Sequence, residues 1–430
     1  MSWELAGILY LVLMVVLLLG GVWIAVALGM VGIVGIAVLQ PPLLAGVASI
    51  VWGQLDSFVL TAVPLFLFMG SVLMGSGVSG RFYRGLAPWL ARVPGGLAQS
   101  NIVACAIFAA LCGSSVATAG AIGSVAIPEM RSRGYDPRIT AGTLAAGGTL
   151  GILIPPSIPF IIYGSSVGES VGRLFAAGMV PGLLLTLLFM LFLGVQAKLR
   201  PALMPAHEKA LVEGKLKTIP DMVPILALIV VVLGGIYAGV MTPTEAAGVG
   251  ASGALGIAAL YRKLSWAVLR QSLLETVRAN AMILLIVVAA QVMSFALVSA
   301  GVPRGVVGWI AALDASRWVV FGVIVIAYLV LGCLMDALSL MLLTLPVVYP
   351  IVQALGFDPI WFGVVLVLLL EVGLITPPVG MNLFVIQGIS GRPLSEVSWG
   401  AFPYVIIMLV EILLLVLFPS IALWLPAKAF

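Results

Sequence analysis

One internal offset constrains this chain more than any other feature. Pro128, Gly134, Asp136, Pro137, Gly151, Pro155, Pro156 and Pro181 are each matched, at one constant offset, by Pro350, Gly356, Asp358, Pro359, Gly373, Pro377, Pro378 and Pro403. Tyr135 and Phe357 are a near-match at the same offset. Coincidences of Leu and Val mean little in an apolar chain. Glycine, proline and aspartate mean more, because they set turns, breaks and helix caps. Two prolines in a row remove backbone donors and cannot sit inside an unbroken helix. The matched pattern therefore predicts two copies of one unit, each containing a broken helix.

Composition fixes the environment of that repeat. The 430 residues are 63% hydrophobic and 8% charged, with a mean hydropathy of +1.26, where soluble domains carry about 25% charged residues. The sequence reads as an all-α polytopic membrane protein. In such a chain, matched broken helices mark the binding site of a secondary transporter. The net charge is only +4, and the basic residues fall in short loops between apolar runs, so nucleic acid is excluded as a partner. Cys105, Cys112 and Cys333 lie in apolar context and read as small buried residues. His207, the single histidine, lies in a polar loop and excludes a histidine metal site. No cleavable signal peptide is evident, because the first apolar stretch simply continues. No Asp-rich metal motif, zinc-type cluster or phosphate-binding loop is present, which argues against a membrane enzyme and against ATP as the energy source.

A spanning helix needs roughly 20 apolar residues. Candidates lie near 4–20, 21–39, 56–79, 138–165, 174–197, 221–240, 244–261, 279–300, 360–388 and 401–426. Two further stretches, 93–128 and 317–350, hold a polar break at mid-length: Gly113-Ser114-Ser115 in one, Met335-Asp336 in the other. Each reads as a re-entrant helical hairpin, whose irregular tip is tolerated only inside protein or beside a water-filled cavity. Segments 81–92 and 303–317 read as short interfacial helices. Loops 81–92, 131–138, 198–217 and 262–278, with Arg392, carry 16 of the 20 Lys and Arg residues. By the positive-inside rule this side is cytoplasmic and the N-terminus periplasmic. Loop 131–138 is basic and its equivalent 353–359 is not, so the repeats are expected to be inverted. The organisation is then a first repeat over 1–200 (hairpin 93–128, broken helix 138–165), a cytoplasmic linker over 201–220, and a second repeat over 221–430 (hairpin 317–350, broken helix 360–388).

The chemistry should sit at the breaks. Around Gly113, small residues and the hydroxyls of Ser114, Ser115 and Thr118 supply neutral oxygens that suit a hard ion such as sodium. The same hydroxyls can donate to a carboxylate. Gly147–Ser157 breaks at Pro155-Pro156, exposing amides that attract an anion and carbonyls that attract a cation; Ser157 is a candidate donor to a substrate carboxylate. In the second set, Asp336 is an intramembrane carboxylate, expected to serve a sodium ion or a proton, or else to bond the tip backbone. Glu371 could bind a cation or fix the broken helix. Glu411 stands far from both motifs in sequence and reads as structural or partner-facing. Thr242-Pro243-Thr244-Glu245 reads as a capped helix start.

Leu111–Gly123, Gly147–Ser157, Thr242–Ala247 and Ile375–Gly388 resemble the large membrane subunit of tripartite ATP-independent periplasmic (TRAP) transporters, the DctM type, and the likeness runs over essentially the whole chain. The resemblance implies an elevator-type ion-transporter fold in the bacterial inner membrane, importing an organic acid with sodium as the coupling ion and no other cofactor. It implies two partners: a small four-helix membrane subunit of the DctQ type and a periplasmic binding protein of the DctP type. Carried over by motif, sodium would lie at Gly113, Ser114, Thr118 and Gly151, and again at Gly332, Asp336, Thr376 and Gly380. Substrate would meet Ser115 and Ser157, with Ser114 and Pro156 beside them. The competing reading is a stand-alone ion-coupled dicarboxylate or anion carrier that needs no binding protein.

Overall fold

The computed structural model describes residues 2–205 and 215–430. His207 and the middle of the expected linker 201–220 lie outside the described residues. The described chain is helical, with no strand among the described residues. That is the physical expectation for an apolar chain in lipid, where backbone groups must be satisfied within the segment. In order the helices are α1 (Trp3–Leu19), α2 (Ile24–Leu39), α3 (Gly46–Leu55), α4 (Ala62–Gly75), α5 (Val78–Leu90), α6 (Leu97–Cys112), α7 (Ser115–Ser132), α8 (Pro137–Leu153), α9 (Ile158–Val167) and α10 (Val171–Leu199). There follow α11 (Ile219–Tyr237), α12 (Pro243–Leu260), α13 (Trp266–Ser299), α14 (Val302–Ala312), α15 (Arg317–Gly332), α16 (Ala337–Ala354), α17 (Pro359–Leu374), α18 (Met381–Ser390), α19 (Leu394–Leu417) and α20 (Ser420–Ala429). Six segments among the described residues are long and apolar enough to cross a bilayer, and the chain is a multi-pass membrane protein.

The constant offset of the sequence reappears in the helices. Helix α16 begins and ends at the positions that match the ends of α7, and α17 begins at the position that matches the start of α8. Asp136 caps α8 by accepting from the N–H groups of Arg138 and Ile139, and Asp358 caps α17 through Ile360 and Trp361. Gly134 and Gly356, which turn the chain into these caps, have φ of +73° and +72°, a left-handed conformation that glycine adopts without penalty. The Pro155-Pro156 and Pro377-Pro378 bonds are both cis.

The two broken helices are the innermost elements. Every residue from Ala141 to Tyr163 is buried, and so is every residue from Ile360 to Ile375. Close approach is built in at Gly142 and Gly400, where α8 and α19 touch through backbone and a Cβ on either glycine would collide with the other helix. Around this centre α2, α4, α12 and α13 pack on one another, while α18 packs on α7 and α8, and α9 on α16. Half of each broken helix therefore rests on the hairpin of the other repeat.

Four expected boundaries differ. The span expected over 56–79 is shorter, because α4 stops at Gly75 and the chain turns by 71° into α5; Gly77, at φ +72°, makes that turn. Residues 262–278, expected as loop, are mostly the start of α13: Ser265 caps Val268 N–H, and the charged side chains lie along the helix surface. The span expected over 401–426 breaks after Leu417, because Pro419 forces Phe418 out of the helical region (φ −130°, ψ 73°). Residues 41–55, given no element, form a 3₁₀ turn and α3. Cys105 and Cys112 are buried, but Cys333 is only partly so.

Candidate functional site

Each hairpin presses its tip against the break of its own repeat. At the first, α6 ends on Gly113 in the left-handed region (φ +58°), and Ser114 caps α7 by accepting from Ala117 N–H at 3.5 Å. Thr118 Oγ donates to the Ser114 carbonyl at 2.9 Å. Gly151 of α8 lies against both: a Cβ there would stand 2.7 Å from the Ser114 oxygen and 2.8 Å from Thr118 Oγ1. The Gly113 carbonyl accepts from Ile158 N–H at 3.4 Å, just past the double proline. The structure thus gathers Gly113, Ser114, Thr118 and Gly151 into one close-packed cluster of carbonyl and hydroxyl oxygens. Ser115 and Ser157 are buried there too. Ser157 caps α9 through Phe160 N–H and donates to the Ile152 carbonyl. Pro156 is buried beside it.

The second tip repeats this arrangement. Asp336 caps α16, its carboxylate accepting from Ser339 N–H at 3.0 Å. This bond is the repeat counterpart of the one that Ser114 makes. The Cys333 carbonyl accepts from Val379 N–H at 3.0 Å. Gly332 packs on Gly373, whose Cβ would meet the Gly332 oxygen at 2.6 Å. Thr376 Oγ donates to the Val372 carbonyl at 2.6 Å, and a Cβ on Gly380 would stand 3.1 Å from the Thr376 oxygen. Gly332, Thr376 and Gly380 therefore belong to one junction, while Asp336 spends one oxygen on its own helix. The two breaks differ in access: Pro155 and Pro156 are buried, whereas Pro377 and Pro378 are exposed.

Ser114, Ser157, Asp336 and Gly380 are the N-caps of α7, α9, α16 and α18. Four helix N-termini therefore meet at the two tips, each with a partial positive charge that favours an anion; those of α7, α16 and α18 keep free amides, whereas at α9 the Ile158 and Phe160 N–H groups are bonded and Pro159 has none. The C-terminal ends of α6, α8, α15 and α17 bring free carbonyls to the same places and favour a cation. This separation of amide and carbonyl ends at mid-protein suits co-binding of an anion with a cation.

Two residues have a larger part than their sequence context suggests. Asn382 is fully buried, and its amide donates to Ser115 Oγ at 2.7 Å and to the Ala145 carbonyl at 3.0 Å. It ties the broken helix of the second repeat to the hairpin of the first. Its oxygen has no hydrogen-bond partner and is an open acceptor. Its place in Gly380-Met381-Asn382, at the start of a helix, is the signal that could have found it. Glu411, remote from the motifs in sequence, is fully buried and lies near Glu371 in space; it is not partner-facing. The expected cap at Thr242 is present, with Glu245 completing a capping box.

Comparison with known proteins decides the family. The family model for the DctM component of the tripartite ATP-independent periplasmic transporter matches residues 11–421. The chain belongs to the DctM family. It is 37% identical over 401 residues to the C4-dicarboxylate TRAP transporter large permease protein DctM of Pseudomonas aeruginosa, covering 93% of each chain. It is 35% identical over 374 residues to the 2,3-diketo-L-gulonate TRAP transporter large permease protein YiaN of Escherichia coli, covering 87% of each. These relatives are transporter permeases, and this DctM chain is a permease subunit, not an enzyme. In fold it resembles the crystal structure of the Alcanivorax borkumensis YdaH transporter, with a TM-score of 0.59 over 91% of this chain and 90% of that one, at 15% identity.

Proposed function

We propose that this chain is the large permease subunit of a sodium-driven, binding-protein-dependent TRAP importer of an organic acid. The observation that carries this reading is the convergence of helix amide ends, helix carbonyl ends and hydroxyls at the two tips. The amide ends and the Ser115 hydroxyl suit a carboxylate, as does Ser157 once its hydroxyl turns from the Ile152 carbonyl. The carbonyls of the Gly113–Ser114 turn, with Thr118 and Gly151, suit a sodium ion, and Gly332, Thr376, Gly380 and Asp336 suit a second. The relatives' acids, a C4-dicarboxylate and a diketo sugar acid, support an organic acid as substrate.

The basic loops support an N-terminus in the periplasm and inverted repeats, with one hairpin entering from each side of the inner membrane. The hairpins and broken helices form the moving domain, and α2, α4, α12 and α13 the scaffold of an elevator. A crevice of about 130 Å³ lined by Ser166, Gln291, Ser294 and Tyr349 lies between α13, α9 and α16, which supports a boundary that slides. A small DctQ-type subunit enlarges the scaffold, and a DctP-type periplasmic protein delivers the acid.

Uptake in proteoliposomes holding this chain, the small subunit and the binding protein tests the reading. Import that needs both an inward sodium gradient and the binding protein is the expected result. Import without the binding protein would favour the stand-alone carrier, and indifference to sodium would remove the coupling ion.

A further inference from the structure

Helix α13 is longer than a bilayer requires. Its 34 residues extend about 51 Å at 1.5 Å each, against a hydrocarbon core of about 30 Å. Residues 279–299 carry no charge and alone reach about 30 Å. Residues 266–278 therefore lie at the membrane boundary and beyond it. At the constant offset of the repeats these first turns correspond to α3, which in the first repeat is a separate short helix.

One side of this extension is held by the protein. A Cβ on Gly75, at the end of α4, would lie 3.6 Å from both Ser272 Oγ and Val268 Cγ1. Ser272 and Thr276 are buried, and Glu275 accepts from Ser71 of α4 at 2.6 Å. The other side is bare. Trp266, Arg270, Leu273 and Val277 follow one another at steps of four, three and four, which places them on one helix face. Trp266 is 74% exposed, Leu273 45% and Val277 62%, and Arg270 and Arg278 are exposed beside them. The turn just ahead adds Arg262 and Lys263, both exposed.

The charge of this face is uncompensated. The ion pairs among the described residues use Arg81, Arg133 and Arg392, and the side chains of Arg262, Lys263, Arg270 and Arg278 have no partner there. The acids nearby are engaged. Glu275 also accepts from Gln271 at 2.8 Å. Asp221 pairs at 2.8 Å with Arg81, whose guanidinium covers the ring of Tyr261. A loop in water accounts for bare cations, but not for a bare tryptophan and two bare aliphatic side chains in line with an arginine. That mixture suits the boundary between headgroups and acyl chains, where rings and aliphatic groups enter the chains and guanidinium groups reach the phosphates. Clustered cations at such a boundary select anionic lipid.

We propose that the first turns of α13 and the turn before them form a docking face for anionic phospholipid. Arg262, Lys263, Arg270 and Arg278 meet the headgroup phosphates, and Trp266, Leu273 and Val277 lie against the acyl chains. Bound lipid covers the side of α13 that α4 leaves bare and steadies the start of the helix.

The full chain, purified in detergent and stripped of lipid, tests this by native mass spectrometry and thermal unfolding with phosphatidylglycerol or phosphatidylcholine added. Phosphatidylglycerol should stay bound under conditions that remove phosphatidylcholine, and should give the higher unfolding midpoint. Arg270→Gln with Arg278→Gln should weaken phosphatidylglycerol binding roughly fivefold for each arginine removed. Arg173→Gln with Lys428→Gln, outside this face, should leave it unchanged. Glycerol phosphate, which offers the phosphate without the chains, should not compete. If a substituted chain fails to fold, the wild-type comparison of the two lipids decides alone. Equal retention and equal midpoints in the two lipids would overturn the proposal. Competition by glycerol phosphate would also overturn it, by making the ligand a free phosphate. So would loss of the preference when the small membrane subunit is added, which would make this face a protein interface.

Discussion

Gly151→Ala is the sharpest probe of the first tip. The new Cβ would stand 2.7 Å from the Ser114 carbonyl oxygen and 2.8 Å from Thr118 Oγ1, where ordinary contact begins near 3.4 Å. The tip must retreat from α8 by about 0.6–0.7 Å. Neither neighbour can yield alone, because the Ser114 carbonyl accepts from both the N–H and the hydroxyl of Thr118, at 3.0 and 2.9 Å. Overpacking of this kind costs roughly 1–3 kcal/mol. If the strain falls on the sodium-bound state, and each 1.4 kcal/mol is tenfold in affinity, sodium should bind roughly 5- to 150-fold more weakly. The assay is the unfolding midpoint of the purified chain as a function of sodium concentration. Gly248→Ala, which has open space around its Cβ, is the control and should match the wild type. A Gly151→Ala chain with wild-type sodium-dependent stabilisation would refute the placement of the ion against α8.

Three further substitutions separate the roles of the other residues. Asp336→Asn keeps the cap on α16 and should fold normally while lowering the apparent affinity for sodium; unchanged sodium dependence in uptake would remove Asp336 from coupling. Ser157→Ala loses the cap on α9, a cost of about 1 kcal/mol, and should impair organic-acid uptake more than sodium binding; the reverse order would undo the substrate assignment. Asn382→Ala strands Ser115 and the Ala145 carbonyl and should destabilise by about 1–3 kcal/mol with a loss of uptake. A wild-type unfolding midpoint in that chain would show that the bridge between the repeats is not structural.

The sequence was legible where it carried backbone-fixing residues. Gly134, Asp136, Pro155-Pro156 and their partners located both broken helices and both hairpins to within a few residues, because prolines and capping aspartates act locally. Of the caps at the tips, Asp336 was foreseen as a possible bond to the tip backbone, whereas those at Ser114 and Ser157 were not. What depended on long-range packing was hidden. Asn382 acquires its meaning from Ser115, 267 positions away in sequence, and Glu411 from its neighbour Glu371 on another helix. Spans such as 56–79 and 401–426 were read as continuous because apolar composition does not reveal where a helix bends. The bends at Gly77 and Pro419 came from single residues inside otherwise uniform apolar runs.

The central claim is that the first hairpin tip and its broken helix hold a coupling ion. A high-resolution cryo-EM map of the full chain with its small subunit, collected once in sodium and once in choline, tests it most directly. Density is expected in sodium alone, between the Ser114 carbonyl, Thr118 Oγ1 and Gly151. A well-resolved tip with no ion there in sodium would contradict the claim.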